Sequence, residues 1–526
     1  MAEVIFSDEF STMDSSKWTF NSVGPFIEPR SYFRQNLPEV SDGKVHLVLD
    51  TYDPGGNKVF ISSDIVTTRT FDVAQEGPLA FEASFRYTQD QRGLIGGFFT
   101  YGGPPDTHDE IDFEAMSNKM GGIQTNLYHN EPAGNSRPLD HAFKDGSTLE
   151  TFHTYRFEWI PASTANPTGL VRWMVDGEIV RESTTFVPTQ AMNLHFNVWS
   201  GGPEWETSDP SLFPVASADQ NRTFTFDVDW VKVERIATVK GSDASETLMG
   251  TSTNDLIESG GGNDRIYGGA GHDTAFFAHK ASSGNTLVVG QDGVSVLDRD
   301  GDANFLYGVE EIRFSDQVID TSVLSKASTA SDEQLASITD VYVSLLDRAP
   351  DAMGLAYWAS RLVDGMSIQQ VAKSFFAQAE TVLEYANAKT TTEFVTLAYR
   401  NALERAPDAD GLKYWADELD SGRVSKDGFL LSFIGGARAP TGSQIDAETL
   451  ASKTAVGLAF ADREGLGDVS WAQAVMDNID GTPAGFAAAK QLVDTYAAQA
   501  ATAGSSQFIL EFVGVSLEEI PGLNAP

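Results

Sequence analysis

The chain contains no cysteine. Disulfides, cysteine-ligated zinc and thiol catalysis are therefore excluded. Positive charge is scarce: 36 Lys and Arg stand against 75 Asp and Glu in 526 residues, a formal net charge of −39. Such a chain repels phosphate backbones and anionic bilayer surfaces, so nucleic acid is excluded as a partner, and cations are attracted instead. Long apolar runs are also missing. No stretch reaches the roughly 18 residues of a membrane span, so no membrane insertion is expected. The N-terminus, MAEVIFSDEF, lacks a basic segment followed by an apolar run, and no cleavable signal peptide is visible. On that alone the protein reads as cytosolic. A hydrophobic share of 41% still supplies packed cores. The length predicts three or four domains.

Residues 1–236 carry short alternating runs such as KVHLVLDTY (44–52), LAFEASFRYTQ (79–89) and TYRFEWIP (154–161). Turn clusters separate them, among them SDG at 41–43 and DPGGN at 53–57. Period-two runs with frequent turns predict an all-β sandwich or barrel, and such a domain commonly presents a groove on one sheet.

Residues 241–276 repeat every nine positions as GSDASETLM, GTSTNDLIE, SGGGNDRIY and GGAGHDTAF. The sixth position holds Glu246, Asp255, Asp264 and Asp273; the eighth holds Leu248, Ile257, Ile266 and Ala275. This is the pattern of a parallel β-roll. Glycines permit the tight positive-φ turns. Eighth-position residues are expected to point into a thin core, and acidic ones outward at the turns. If each nonapeptide makes half a coil, Glu246 stacks on Asp264, and Asp255 on Asp273. Carboxylates with turn carbonyls make a hard oxygen cage suited to Ca²⁺. Fewer ions are expected at the first two, glycine-poor units. A flexible linker is the plainer alternative, but four units in phase weigh against it. Residues 287–314 read as further strands, so the roll domain is assigned to 241–322. Within it, DRDGDAN (298–304) superficially matches a calcium loop. Ala303 and Val309 stand where an EF-hand needs Gly and Glu, so a hairpin turn is expected.

From about residue 330 the periodicity is helical, with Leu335, Ile338, Val341, Tyr342 and Leu345 on one face. DRAPDAMGLAYWASRL (347–362) returns as ERAPDADGLKYWADEL (404–419), 57 residues later. Pro350 or Pro407 with the following Asp predicts a helix start, and the Tyr-Trp pair is expected to pack inward. This helical repeat is assigned to 330–440, and an Ala-rich, partly helical C-terminal region to 441–526.

The sharpest motif is HDEIDFE at 108–114. On a strand, Glu110, Asp112 and Glu114 share one face, while Ile111 and Phe113 take the other. Three clustered carboxylates either bind a cation or share protons for acid–base work. Glycoside hydrolysis uses such a set, one carboxylate as nucleophile and one carboxyl as acid. Strand residues four apart have Cα atoms about 13 Å apart, so Glu110 and Glu114 must lean together over a concave bend. The glutamate facing negative neighbours should keep its proton. A surface strand with chance acids would show the same letters.

The whole of 1–236 resembles glycoside hydrolase family 16. The carrying segments are GLIGGFFTYGGPPDTHDEIDFEAM (93–116), GGIQTNLYHN (121–130), FHTYRFEWIP (152–161), VRWMVDGEIV (171–180), MNLHFNVWSG (192–201) and FDVDWVKVER (226–235). The resemblance implies a β-jelly roll and a retaining endo-β-glycanase, with Glu110 as nucleophile, Asp112 as its assistant and Glu114 as acid/base. The motif lacks the extra residue of laminarinase-type members, which places it near the lichenase and rhizobial succinoglycan-glycanase branch. The resemblance further implies substrate contacts at Asn126 and Tyr128, a sugar platform at Asn197 and Trp199, a covering loop with Phe26 and Arg34, and a structural calcium ligand at Asp229. His108 stands where lichenases place a Trp and is expected to touch the substrate or a neighbour of Glu110. Val66 replaces a lichenase Arg, which argues against plain mixed-linkage glucan. The nonapeptides resemble RTX proteins, which leave Gram-negative cells by type I secretion with an uncleaved C-terminal signal. That resemblance replaces the cytosolic reading with a secreted, extracellular one. It implies structural Ca²⁺, a type I signal in the C-terminal region, and the secretion machinery and a polysaccharide as partners of a monomer. The helical repeat resembles a module near the C-termini of secreted bacterial proteins. A transglycosylase and a non-catalytic polysaccharide-binding matrix protein stay open as alternatives.

Overall fold

The computed structural model describes residues 3–21, 31–34, 38–132, 137–163, 166–201, 209–278, 281, 284–298, 301–440, 442–502, 505–514 and 517. The chain forms two compact units, Met1–Thr238 and Val239–Pro526.

The first unit is all-β. One layer runs Leu139–Ala142, Gly122–Glu131, His108–Met116, Ile95–Gly102, Asn193–Trp199 and Phe60–Thr67, each antiparallel to the next. A second layer runs Lys44–Asp50, Thr223–Arg235, Leu79–Tyr87, His153–Ile160, Leu170–Val175 and Glu178–Ser183. Pairing of Phe60–Thr67 with Lys44–Asp50 joins them. Alternation along the strands supplies the core between the layers. Phe98 and Phe113 from the first layer meet Phe157 and Tyr155 from the second, with ring centroids 5.3 and 5.4 Å apart. Phe85 stacks on Tyr155 at 3.8 Å. The Trp173 indole N–H donates to the main-chain carbonyl of Asp112 at 3.0 Å and pins the middle of the 108–116 strand.

In the second unit the nonapeptides are half coils. Thr247–Met249 pairs in parallel with Arg265–Tyr267, and Asp255–Glu258 with Thr274–Phe276. Leu248, Ile257, Ile266 and Ala275 enter the core. The roll continues past the last repeat: Ala303–Tyr307 lies parallel to Arg265–Tyr267, and Glu311–Arg313 to Thr274–Phe276. The acidic side chains depart from the expected outward pointing. Asp255, Asp264 and Asp273 are fully buried. Each satisfies an amide of a neighbouring turn. Asp264 accepts from Glu246 N and Asp273 from Asp255 N, both at 2.9 Å. Asp255 accepts from Thr251 N at 2.6 Å. Val294–Leu297 and Ala303–Tyr307 form an antiparallel hairpin, which is the turn expected around DRDGDAN; residues 299 and 300 lie outside the described residues. The strand Ile509–Phe512 returns to pair in parallel with Thr286–Val289. The roll and the helices, assigned above to separate domains, share one apolar core.

The helical repeat shows matched caps. Asp351 and Asp408 begin Ala352–Val363 and Ala409–Asp420, each accepting from the amide of a Gly three residues on. Asp347 and Glu404 end the preceding helices in left-handed backbone, at φ 50 and 55. The Tyr-Trp pairs do not both turn inward. Trp358 is buried, whereas Tyr357 and Tyr414 are 42% and 56% exposed. Consecutive helical residues point about 100° apart, so only one of two neighbours can face the core. Lys453 on Gln444–Leu458 is fully buried and pairs with both Asp347 and Glu404, the equivalent residues of the two repeats.

Candidate active site

The strand His108–Met116 puts Ile111, Phe113 and Ala115 into the sandwich core and Glu110, Asp112 and Glu114 on the opposite face. Its neighbours fill in that face by register. Tyr101 and Tyr128 flank Glu110; Phe99 and Asn126 flank Asp112; Gly97 and Gln124 flank Glu114. One strand further, His195 lies beside Phe99 and Asn197 beside Gly97, with Asp64 opposite Asn197. A depression of about 360 Å³ opens on this face, lined by Tyr101, Asn193, His195, Val66 and Asn21 among others. Gly97 is required here. A Cβ at that position would sit 2.7 Å from Asn197 Oδ1.

The three carboxyls are not equivalent. Burial first, and then the charge of Glu110, raise Glu114 to about 7, against a hydrogen bond from Asn126. Burial, then the charges of Glu110 and Glu114, push Asp112 well above the usual carboxylate range, with Arg181 opposing. Glu110 instead faces a base: its Oε2 lies 3.0 Å from His108 Nε2. His108 is fully buried. Its ring stacks on Tyr101 at 5.0 Å and 17° and lies 4.8 Å from Tyr128. Its Nδ1 is 3.3 Å from the Pro105 carbonyl. Burial lowers the titration of His108, but the Glu110 contacts outweigh it, and the net shift is upward. The face therefore sets Glu110 against the His108 ring and holds two further carboxyls, Asp112 and Glu114, in which burial favours the protonated form.

A family model described as glycosyl hydrolases family 16 matches residues 34–232. Residues 34–232 are a family 16 glycosyl hydrolase domain. Curated relatives agree. A "Beta-glucanase" of Paenibacillus polymyxa is 32% identical over 170 residues, 32% of this chain and 63% of its own length. A "Beta-glucanase" of Paenibacillus macerans is 28% identical across 39% of this chain and 86% of its own. "Endo-1,3-1,4-beta-glycanase ExoK" of Rhizobium meliloti is 28% identical across 37% of this chain and 68% of its own. The chain thus spans slightly under two thirds of the P. polymyxa relative. Further models match the RTX calcium-binding nonapeptide repeat at 240–275 and a domain of unknown function (DUF4214) at 322–382 and 372–438.

Within the family 16 domain, Asn126 and Tyr128 lie on the same face as the carboxyls, and the Asn126 side chain donates to the Tyr128 hydroxyl at 3.3 Å. Asn197 is buried there with its Oδ1 unpaired. Trp199 is 5% exposed and packs with Phe33, Ile95 and Met116 rather than presenting an open ring. Arg34 is four strands from Glu110 in the sheet order and stacks over Tyr32 at 4.8 Å. Phe26 lies outside the described residues. Asp229 does not fit the expected calcium site: it is 39% exposed and already faces Lys44 Nζ at 3.6 Å, where a second cation would be repelled.

Three residues on the face escaped the sequence reading: Tyr101, His195 and Asp64. Asp64 accepts from the Asn21 side chain at 2.9 Å and lies 3.4 Å from His195 Nδ1. The available signal was alternation in NLHFNVW, which puts His195 in phase with Asn197. Asp109 was also missed. It is out of phase with the carboxyl face and buried, and it accepts from the amides of Asn130, Thr189 and Gln190 at 2.7, 2.6 and 2.9 Å. These bonds fix the start of the 108–116 strand.

In the RTX roll, Asp264 and Asp273 each keep their Oδ2 buried without a partner. Burial, and then like charges beside them, raise these groups to about 6 and about 7. Orphaned carboxylate oxygens next to turn carbonyls fit a hard cation. No three His, Cys, Asp or Glu side chains converge among the described residues, so carbonyls would have to complete the shell.

Proposed function

We propose that the family 16 domain is a retaining endo-β-glycanase acting on β-linked glucan or a succinoglycan-like bacterial exopolysaccharide. The observation that carries this reading is the unequal state of the carboxyls on one strand face, with Glu110 against His108 and Glu114 raised to about 7. In the first step a Glu110 oxygen bonds to the anomeric carbon, and the glycosidic C–O bond breaks as Glu114 gives its proton to the leaving oxygen. In the second, Glu114 takes a proton from water, the water oxygen bonds to the anomeric carbon, and the ester to Glu110 breaks. Asp112 shares a hydrogen bond with Glu110, and burial disfavours a charge on it. Asn126 reaches Glu114 and holds it in place. The named activities of the relatives support the polymer class, and Val66 supports a substrate other than plain mixed-linkage glucan.

The RTX repeats support secretion from a Gram-negative cell. Glu246, Asp255, Asp264 and Asp273 with turn carbonyls would hold Ca²⁺, which would screen their mutual repulsion and tie the coils together. The test is reducing-sugar release from β-glucan, galactan and succinoglycan by the wild type and Glu110→Gln. Release by the wild type, lost at least 10³-fold in the variant, is expected. Equal release by both would remove Glu110 from the mechanism. Chain-length redistribution without new reducing ends would mark transfer to sugar instead of water.

A further inference from the structure

We propose that His108 is a positioning residue that, as an imidazolium, holds the carboxylate of Glu110 charged and aimed at the anomeric carbon; this rests on the hydrolase reading. Each ring nitrogen of His108 faces an oxygen. Nδ1 meets the Pro105 carbonyl at 3.3 Å. A carbonyl oxygen only accepts, so Nδ1 carries a hydrogen. Nε2 meets Glu110 Oε2 at 3.0 Å. An ionised carboxylate also only accepts, so it favours a hydrogen on Nε2. With acceptor oxygens near both nitrogens, a neutral ring would turn a lone pair toward one of them. An anionic Glu110 therefore favours the doubly protonated ring. The pair is held by charge more than by a well-aligned hydrogen bond.

Among the described residues, the surroundings leave His108 no other partner of that kind. Tyr101 covers the ring from the 95–102 strand, and Tyr128 from the 122–131 strand. Aromatic faces suit a cation. The Glu131 side chain, on that second strand, is engaged by Arg137 at 2.7 Å. Asp109 points to the core side and is held by amides and by His129. Glu110 is thus the anion that His108 faces. Of the two contacts expected for His108 from the sequence, full burial disfavours the one to substrate, and the rings of Tyr101 and Tyr128, which flank Glu110, supply the other. The consequence is specific to this face. Asp112 and Glu114 sit beside Glu110, and any ionisation of either disfavours charge on the nucleophile. His108 offsets that repulsion. It also stabilises the carboxylate that departs when the ester breaks.

Two measurements on the full chain test this. In ¹³C-histidine-labelled protein, His108→Gln identifies the His108 resonance among the eight histidines by its absence. In Glu110→Gln, the His108 titration midpoint should fall by about one unit, the shift of a lost ion pair. An unchanged midpoint overturns the proposal. The second measurement is the pH profile. His108→Gln should lower kcat about tenfold at pH 6, with KM unchanged, and the deficit should shrink as the wild type loses its own charge at higher pH. A pH-independent deficit, or a raised KM at constant kcat, overturns the positioning role. A wild type inactive on every polymer sinks the hydrolase reading, and the resonance measurement then decides the His108–Glu110 pair by itself.

Discussion

Glu114 makes the stability of the first unit depend on pH. Its folded titration is near 7, against 4.5 for the free side chain. The folded state binds this proton more tightly than the unfolded chain does, so stability falls as pH rises from about 4.5 to about 7. Above that window both states are ionised and the fold carries the whole cost of a buried charge. Glu114→Gln should therefore stabilise the first unit by about 1–3 kcal/mol at pH 8 and hardly at all at pH 4, read from urea unfolding. Equal gains at both pH values would contradict the assignment. The same proton is needed by the leaving oxygen, so wild-type kcat/KM should decline as pH passes about 7. Gly97 gives a second residue-level expectation. Gly97→Ala places a methyl against Asn197 and Phe99, and a loss of about 1–3 kcal/mol is expected in the urea midpoint.

At the level of elements, the period within each strand or helix and the stacking of alternate nonapeptides are legible in the sequence, whereas the side-chain partner of His108 is not. The HDEIDFE alternation, the inward eighth positions of the roll and the Asp351 and Asp408 caps depend only on the period of the element that carries them. The partner of His108 depends on which strands lie beside residues 95–102 and 122–131, and no single strand encodes that. The third coil is not visible as a repeat because residues 303–313 keep a single glycine, Gly308, and begin as one arm of a hairpin. Even so, it keeps the same bonds: Glu310 accepts from Asp273 N at 2.8 Å, and Asn304 from Asp264 N at 3.3 Å. The exposed Tyr357 and Tyr414 were misread because adjacent letters were treated as one packing unit. Lys453 joins the two helical repeats at their matched C-caps. Lys453→Met leaves Asp347 and Glu404 facing each other. A loss of about 1–3 kcal/mol is expected, the partial exposure of both acids limiting it. An unchanged melting temperature of the second unit would show the lysine to be dispensable.

Across the whole molecule the division into two units predicts two thermal transitions. If the RTX carboxylates hold Ca²⁺, chelation should lower one transition by about ten degrees or more and leave the transition of the first unit in place, as calorimetry would report. A chelator that moves neither would argue against bound calcium. The proposed export signal needs a careful deletion. Removing residues 467–526 would also take Ala472, Val475, Met476, Ala489, Val493 and Leu510 out of the core. Removing 518–526 takes away no described residue. The short deletion should still retain the protein in the cell if the signal lies there, and unchanged export would place it elsewhere.

The strand Ile509–Phe512 sits against Thr286–Val289, and Gln291 reaches the Gly514 carbonyl across 223 positions of sequence. The roll therefore cannot be completed from its own stretch of chain. While the polypeptide is being made, the 286–289 strand waits with an open edge, and no finished six-stranded sheet exists until residues 509–512 are synthesised. Assembly of the second unit waits for that segment, and every product truncated before it carries an unsealed sheet that is prone to pair with another chain.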